Sequence, residues 1–182
     1  MSKVRLYLVR HGKTMFNTIG RAQGWSDTPL TAEGELGIHE LGIGLRESGL
    51  QFDRAYSSDS GRTIQTMGII LEELGLQGKI PYRMDKRIRE WCFGSFDGAY
   101  DGDLFMGLIP RIFNVDHVHQ LSYAELAEGL VEVDTAGWAE GWEKLSGRIK
   151  EGFEAIAKEM EEQGGGNALV VSHGMTIGTI VY

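Results

Sequence analysis

Leu8-Val9-Arg10-His11-Gly12 and Val170-Val171-Ser172-His173-Gly174 decide the fold of this chain. Each is a short apolar run that breaks into a polar residue, a histidine and a glycine. Runs this short, bounded by a glycine turn, read as buried strands rather than helices. Val4, Leu6, Leu8 and Val9 carry the first, and Ala168-Leu169-Val170-Val171 the second. Working outward, Thr31 after Pro29-Leu30 is an N-cap for a helix to about Gly49. Leu36, Leu41 and Leu45 give that helix a ragged stripe, interrupted by four internal glycines. Arg54-Ala55-Tyr56-Ser57-Ser58 reads as another short strand. It feeds a helix from about Ser60, with Ile64, Met67, Leu71 and Leu74 on one face and Gly75 as its stop. Residues 79–84 and 88–93 are weaker strand or loop candidates. The best helical pattern spans about Trp138 to Glu162, where Trp142, Leu145, Ile149, Phe153, Ile156 and Met160 step at three and four, and Gly164-Gly165-Gly166 ends it. Strands alternating with helices predict one α/β domain over residues 1–182 with a mainly parallel sheet.

Composition narrows the function classes. The chain has 182 residues, 42% hydrophobic and 24% charged, which excludes a disordered tail, a coiled coil and a fibrous repeat. Its net charge of −8 and pI near 5.1 argue against a general nucleic-acid surface. Cys92 is the single cysteine and cannot form an internal disulfide. Lys3, Arg5 and Arg10 interrupt the first apolar run, so no signal-peptide core fits, and no stretch approaches the roughly 18 apolar residues of a membrane helix. A cytoplasmic protein without a membrane partner is the expectation. Residues 97–137 stand apart: Asp97, Asp101, Asp103, Asp116, Glu125, Glu128, Glu132 and Asp134 face one base, Arg111. Leu104, Phe105, Ile109, Ile112, Phe113, Leu121, Leu126 and Leu130 suggest short helices there, a candidate lid insertion.

In open α/β sheets ligands sit outside the carboxyl ends of the strands, so His11 and His173 can share one site. Arg10 adds a fixed cation beside them, and Arg62 lies just inside the helix that follows the second strand. Two guanidiniums and two imidazoles around one spot make a phosphate cradle, because arginine offers forked donors to phosphate oxygens. The adjacent glycines allow close backbone approach. Other polar candidates lead elsewhere. His117-Val118-His119 has nothing to complete a metal-ligand set and reads as loop surface. His39 reads as helix surface, Cys92 as an inert thiol, and Trp138 and Trp142 as core and rim. Gly164-Gly165-Gly166 lacks the lysine and spacing of a nucleotide phosphate loop.

In order along the chain stand Leu8-Val9-Arg10-His11-Gly12-Lys13-Thr14, Asn17, and Gln23-Gly24-Trp25-Ser26-Asp27-Thr28-Pro29-Leu30-Thr31. Ser57-Ser58-Asp59-Ser60-Gly61-Arg62-Thr63-Ile64-Gln65-Thr66, Glu90 with Phe93-Gly94, and Ser172-His173-Gly174 follow. With these pieces the chain resembles the histidine phosphatase superfamily, the phosphoglycerate-mutase-like proteins, over nearly its whole length. The resemblance implies a three-layer α/β/α fold and phosphoryl chemistry through a phosphohistidine, with no metal and no cofactor. It makes His11 the nucleophile, and Arg10, Arg62 and His173 the holders of the phosphoryl oxygens. It adds Asn17 as a phosphate donor, carries Gln23 and Gly24 as substrate-binding positions, and makes Glu90 the proton donor. Spacing alone reads Glu90 differently, as a solvated acid paired with Arg87 or Arg89.

The expected activity is hydrolysis of a small phosphomonoester. A phosphoglycerate mutase is the alternative, and a non-catalytic binding scaffold a third. The resembling mutases carry Glu-Arg-His-Tyr-Gly and further cations in the lid, where this chain has Glu90-Trp91-Cys92-Phe93-Gly94 and an acidic segment that repels polyanions. Resembling proteins continue beyond the His173 position with a full helix and another strand, so those elements read as cut short at Tyr182. The physiological substrate and the oligomeric state, a homo-oligomer included, stay open.

Overall fold

Four short stretches of extended chain meet in one sheet: Val4–Arg10 (β1), Arg54–Ser57 (β2), Tyr82–Met84 (β3) and Gly166–Ser172 (β4). The structure, a computed structural model, describes residues 3–181. Every pairing is parallel and the order is β1-β4-β2-β3. The first and last strands are therefore neighbours, with Leu8 opposite Val170 and Arg10 opposite Ser172. His11 N–H continues the ladder beyond β1 to the Ser172 carbonyl at 3.1 Å. The two His-Gly turns thus leave the sheet side by side.

Parallel strands need crossover connections, and these bury both faces of the sheet. In β4 alternate residues part company: Ala168 and Val170 join one core cluster, Leu169 and Val171 the other. Ala32–Glu47 (α2) and Gly61–Glu73 (α3) cover the second face through Ile38, Met67, Ile70 and Leu71. Trp142–Glu162 (α6) covers the first through Leu145, Ile149, Phe153, Ile156 and Met160. The result is the three-layer α/β/α arrangement with a parallel central sheet. None of the described helices is long and apolar enough to cross a membrane.

Several local readings change. In α2 Leu36 and Leu41 face outward, Leu36 being 59% exposed, while Leu45 packs at the edge of the core and the buried face is Gly34, Ile38 and Gly42. The glycines that weaken the helix locally are what let it dock. A Cβ at Gly34 would collide with the Lys13 carbonyl, and one at Gly42 would stand 2.6 Å from Glu73 Cβ. In α3, Ile64 is exposed, and Thr63 and Thr66 join the buried face with Met67, Ile70 and Leu71. The long helix starts at Trp142, leaving Trp138 70% exposed. The weaker strand candidates shrink to β3 alone, because residues 86–88 form a 3-10 turn and residues 89–93 a loop.

The acidic segment folds into a π-helical stretch at Gly102–Leu108, then Ile109–Phe113 (α4), a 3-10 turn at Val118–Gln120, and Tyr123–Val133 (α5). Leu104, Ile109, Leu126, Ala127 and Leu130 are buried in the same core as Trp91 and α6. The segment is thereby anchored in the domain's main core. Half of its acids are tied to backbone. Asp134 accepts from the N–H groups of Ser95, Ala136, Trp138 and Ala139, Glu125 from Ser122, and Glu128 from Trp142. Asp97 accepts from Gly24, Trp25 and Ser26.

Candidate active site

Beyond β1 His11 is 8% exposed, and its Nδ1 lies 2.8 Å from the Gly12 carbonyl. A carbonyl oxygen only accepts, so Nδ1 carries the proton and Nε2 keeps a free lone pair. Burial pulls the His11 pKa down to about 4 against the pull of the Gly12 carbonyl, with the Arg62 and Arg10 cations acting in the same direction as burial. The ring is neutral at physiological pH, as a nitrogen nucleophile must be. Gly12 is wedged in place: its N–H donates to Thr66 Oγ1 at 3.1 Å, and a Cβ would stand 2.8 Å from Ile38.

His173 is fully buried, with its ring centroid 5.3 Å from that of His11. Its Nδ1 is 2.9 Å from Arg62 Nη2 and its Nε2 is 2.7 Å from Ser58 Oγ. A guanidinium only donates, so Nδ1 is the acceptor and the proton sits on Nε2, directed to Ser58. Burial and the Arg62 charge hold this ring well below the ordinary histidine range. Ser58 is itself held by Thr63 Oγ1 at 2.8 Å.

Arg62 enters from the first turn of α3 and is completely buried. Nη1 donates to the Ser26 carbonyl at 2.9 Å and to Asp27 Oδ1 at 2.8 Å, and Nη2 donates to the Gly24 carbonyl at 2.8 Å as well as to His173. Its Nε–H is buried without a partner. An orphaned charged donor is costly, and an anion is the kind of partner that would satisfy it. Asp27 balances the Arg62 charge, whereas Arg10 forms no ion pair among the described residues. A Cβ on Gly174 would sit 3.4 Å from Arg10 Nε, so the glycine leaves room for the Arg10 side chain to pass. Arg10, His11, Arg62 and His173 are thus brought together with a surplus of positive charge.

Glu90 corrects the reading from spacing. It is buried, and it pairs with neither neighbouring arginine: Arg87 holds Asp85 and Glu151, and Arg89 holds Asp59 through two contacts of 2.6 Å. Its carboxylate instead caps Gly174–Val181 (α7), accepting from Met175 N at 3.2 Å, Thr176 N at 3.0 Å and Thr176 Oγ1 at 3.1 Å, and from Trp91 N. A carboxylate at a helix N-terminus satisfies donors the helix cannot. Burial pushes the Glu90 carboxyl up, against these hydrogen bonds. Because α7 begins at the residue after His173, the cap places Glu90 at the same edge.

The other expected ligands occupy scaffold positions. Asn17 closes a capping box with Thr14 at the start of Met15–Thr18 (α1), its Oδ1 accepting from Thr14 N at 3.1 Å. The Gln23 side chain accepts from Thr14 Oγ1 at 2.6 Å and donates to Thr28 Oγ1 at 2.9 Å. Gly24 gives its N–H to Asp97 and its carbonyl to Arg62, and a Cβ there would collide with the Trp91 carbonyl. Away from the site, His39 pairs with Glu73 at 2.8 Å, Trp142 packs against Trp91, and burial pushes the buried Cys92 thiol up. His117 and His119 lie on or beside the 3-10 turn, and among the described residues no group of three or more His, Cys, Asp or Glu could hold a metal ion.

Reasoning from sequence missed Ser58, Asp27 and the pair of half-buried Arg148 with buried Glu140. Arg148 donates to the Arg87 and Arg89 carbonyls at 2.8 and 3.2 Å and to Glu140 at 2.6 Å, so it shapes the loop that presents Glu90. An arginine next to Ile149, on the flank of the α6 stripe, was the available signal.

A parallel α/β sheet whose carboxyl edge gathers two neutral histidines and two arginines defines a class: an α/β protein with a histidine-and-arginine site at the head of its sheet. The chain belongs to the histidine phosphatase superfamily (branch 1), whose family model it matches over residues 6–182. It is 32% identical over 180 residues to "Probable phosphoglycerate mutase GpmB" of Salmonella choleraesuis, covering 98% of this chain and 73% of that protein. Its fold matches the crystal structure of phosphoglycerate mutase from Bacillus anthracis with a TM-score of 0.91 and 38% identity, over 99% of this chain and 79% of that one. Bacillus stearothermophilus YhfR matches with a TM-score of 0.72 and 27% identity, over 97% and 77% of the two chains. The alpha-ribazole phosphatase of Shigella flexneri, at 23% identity and a TM-score of 0.68 over 97% and 77%, shares the fold.

Proposed function

We propose that this chain is a phosphatase that hydrolyses small phosphomonoesters through a phosphohistidine on His11. The observation that carries the reading is the His11 tautomer: Nδ1–H is spent on the Gly12 carbonyl, and the Nε2 lone pair stands beside Arg10, Arg62 and His173. Nε2 attacks phosphorus and the P–O ester bond breaks. The leaving oxygen takes its proton from Glu90, whose burial favours the protonated form. Water then attacks the phosphohistidine, Glu90 takes back a proton, and His11 is restored. Arg10 and the free Nε–H of Arg62 stabilise charge on the transferring group, and His173, whose two ring nitrogens are taken by Arg62 and Ser58, holds the Arg62 fork in place.

Hydrolysis is favoured over mutase chemistry by the state of the nearby cations. A mutase must grip a second phosphate and a carboxylate. Arg87, Arg89 and Arg148 are all committed to carboxylates, and Arg21 donates to the Gly98 carbonyl and lies over the Tyr100 ring. The names of the Salmonella and Bacillus anthracis relatives support a mutase as the second reading. Rapid quench with p-nitrophenyl phosphate should trap an acid-labile, base-stable phosphate on His11, and His11→Ala should abolish turnover. A hydroxyl-linked phosphate, or a tenth of the activity surviving in the variant, would remove the covalent mechanism. Isomerisation of 3-phosphoglycerate primed by 2,3-bisphosphoglycerate, if it outruns hydrolysis, would replace the phosphatase reading with the mutase.

A further inference from the structure

Asp97 stands with the lid acids in the sequence, but it faces the loop of residues 23–27. Its Oδ1 accepts from Gly24 N at 2.9 Å, Ser26 N at 3.0 Å and Ser26 Oγ, and its Oδ2 accepts from Trp25 N at 2.9 Å. Three consecutive N–H groups converging on one carboxylate curl the loop. The Gly24 and Ser26 carbonyls are then left to hold Arg62, at 2.8 and 2.9 Å, and the Asp27 side chain joins them at 2.8 Å. With the bond to His173, these occupy all four Nη donors of a completely buried guanidinium and leave Nε–H over.

We propose that Asp97 is the positioning residue for Arg62: it builds the carbonyl cup that fixes the guanidinium and reserves one donor for the phosphoryl group. The inference rests on the phosphohistidine reading of the site. Phosphate-binding arginines act by being held before the reaction, so that no reorganisation is needed as charge develops. Without the Asp97 carboxylate, the N–H groups of residues 24–26 lose their common acceptor and the cup can relax. Glycine at position 24 belongs to the same device, because the loop passes too close to Trp91 and Asp97 for any Cβ. The arrangement also ties the root of the 97–137 segment to the catalytic arginine, in two steps of hydrogen bonding.

A double-mutant cycle separates positioning from general structural support. Asp97→Ala and the milder Asp97→Asn are made in the wild type and in Arg62→Lys, which keeps the charge but has no fork for the cup to hold. Phosphorylation rates are read with enzyme in excess over p-nitrophenyl phosphate, so slow variants are still measured, and melting temperatures are read alongside. Loss of Asp97 should slow phosphorylation about 30-fold in the wild type, inside the range of coupling between residues that share one network, and less than about 3-fold in Arg62→Lys. If Asp97→Ala does not fold, Asp97→Asn carries the comparison. Equal fold-losses in the two backgrounds would overturn the proposal. Trapping of His11 in the unmutated enzyme tells the two failures apart: no phosphohistidine sinks the mechanism, whereas a normal adduct with additive losses sinks only the role of Asp97.

Discussion

Acidification should unfold this protein through His11, the proposed nucleophile. The His11 pKa falls from 6.5 to about 4 on folding, chiefly because burial disfavours the imidazolium, with the Gly12 carbonyl opposing and Arg62 and Arg10 reinforcing the effect. At about 1.4 kcal/mol per unit, the depression is worth about 3 kcal/mol. Its sign follows from which state binds the proton first. The unfolded chain protonates this histidine as pH falls through 6.5, while the folded chain resists until about 4. The contribution is therefore complete above pH 6.5 and is lost progressively down to pH 4. His173 is depressed in the same direction and adds to the slope. Glu90 works the other way: its raised pKa stabilises the fold as pH falls through the folded value toward 4.5. The measurement is accordingly a difference between two proteins at each pH, in which the Glu90 contribution cancels. Urea unfolding of the wild type and His11→Gln is followed at pH 7, 6, 5 and 4 in phosphate-free buffer, since bound phosphate would stabilise the folded state by mass action. The wild type should lose about 3 kcal/mol more than the variant between pH 7 and pH 4. Parallel curves would show that His11 is not held neutral by its surroundings, and the nucleophile argument would lose its electrostatic basis.

Two further outcomes follow from the same geometry. Glu90→Gln should slow phosphorylation from an alkyl phosphate far more than from p-nitrophenyl phosphate, whose phenolate leaves without a proton; equal losses in pre-steady-state phosphorylation rates would remove Glu90 from the acid role. In α2, Gly34→Ala forces a Cβ into the Lys13 backbone and should cost about 1–3 kcal/mol in urea unfolding, whereas Gly37→Ala, with open space around it, should gain about 0.5–1 kcal/mol; the same sign for both would refute the docking of α2 through its glycines.

How much of this was legible in one dimension depends on the range of the interaction. Strand β4 could be read because four apolar residues between glycines and a polar turn have few other stable conformations, and α6 because its stripe repeats at the helical period. The pairing of His11 with His173 could be anticipated because parallel strands in an α/β sheet present their carboxyl ends on one edge. The order β1-β4-β2-β3 lies beyond such local signals, and it is this order that sets His11 next to Ser172. Glu90 shows the limit most clearly. Locally it is an acid flanked by arginines, and only the packing of α7 against residues 89–91 brings helix N–H groups 85 and 86 positions away onto its carboxylate. The glycines of α2 read as flaws until the Lys13 backbone and Glu73 arrive against them. Residue type determined which groups this protein has for phosphoryl chemistry. Tertiary structure decided their tautomers, their charge and their free donors, because those depend on partners that the chain brings near only by folding.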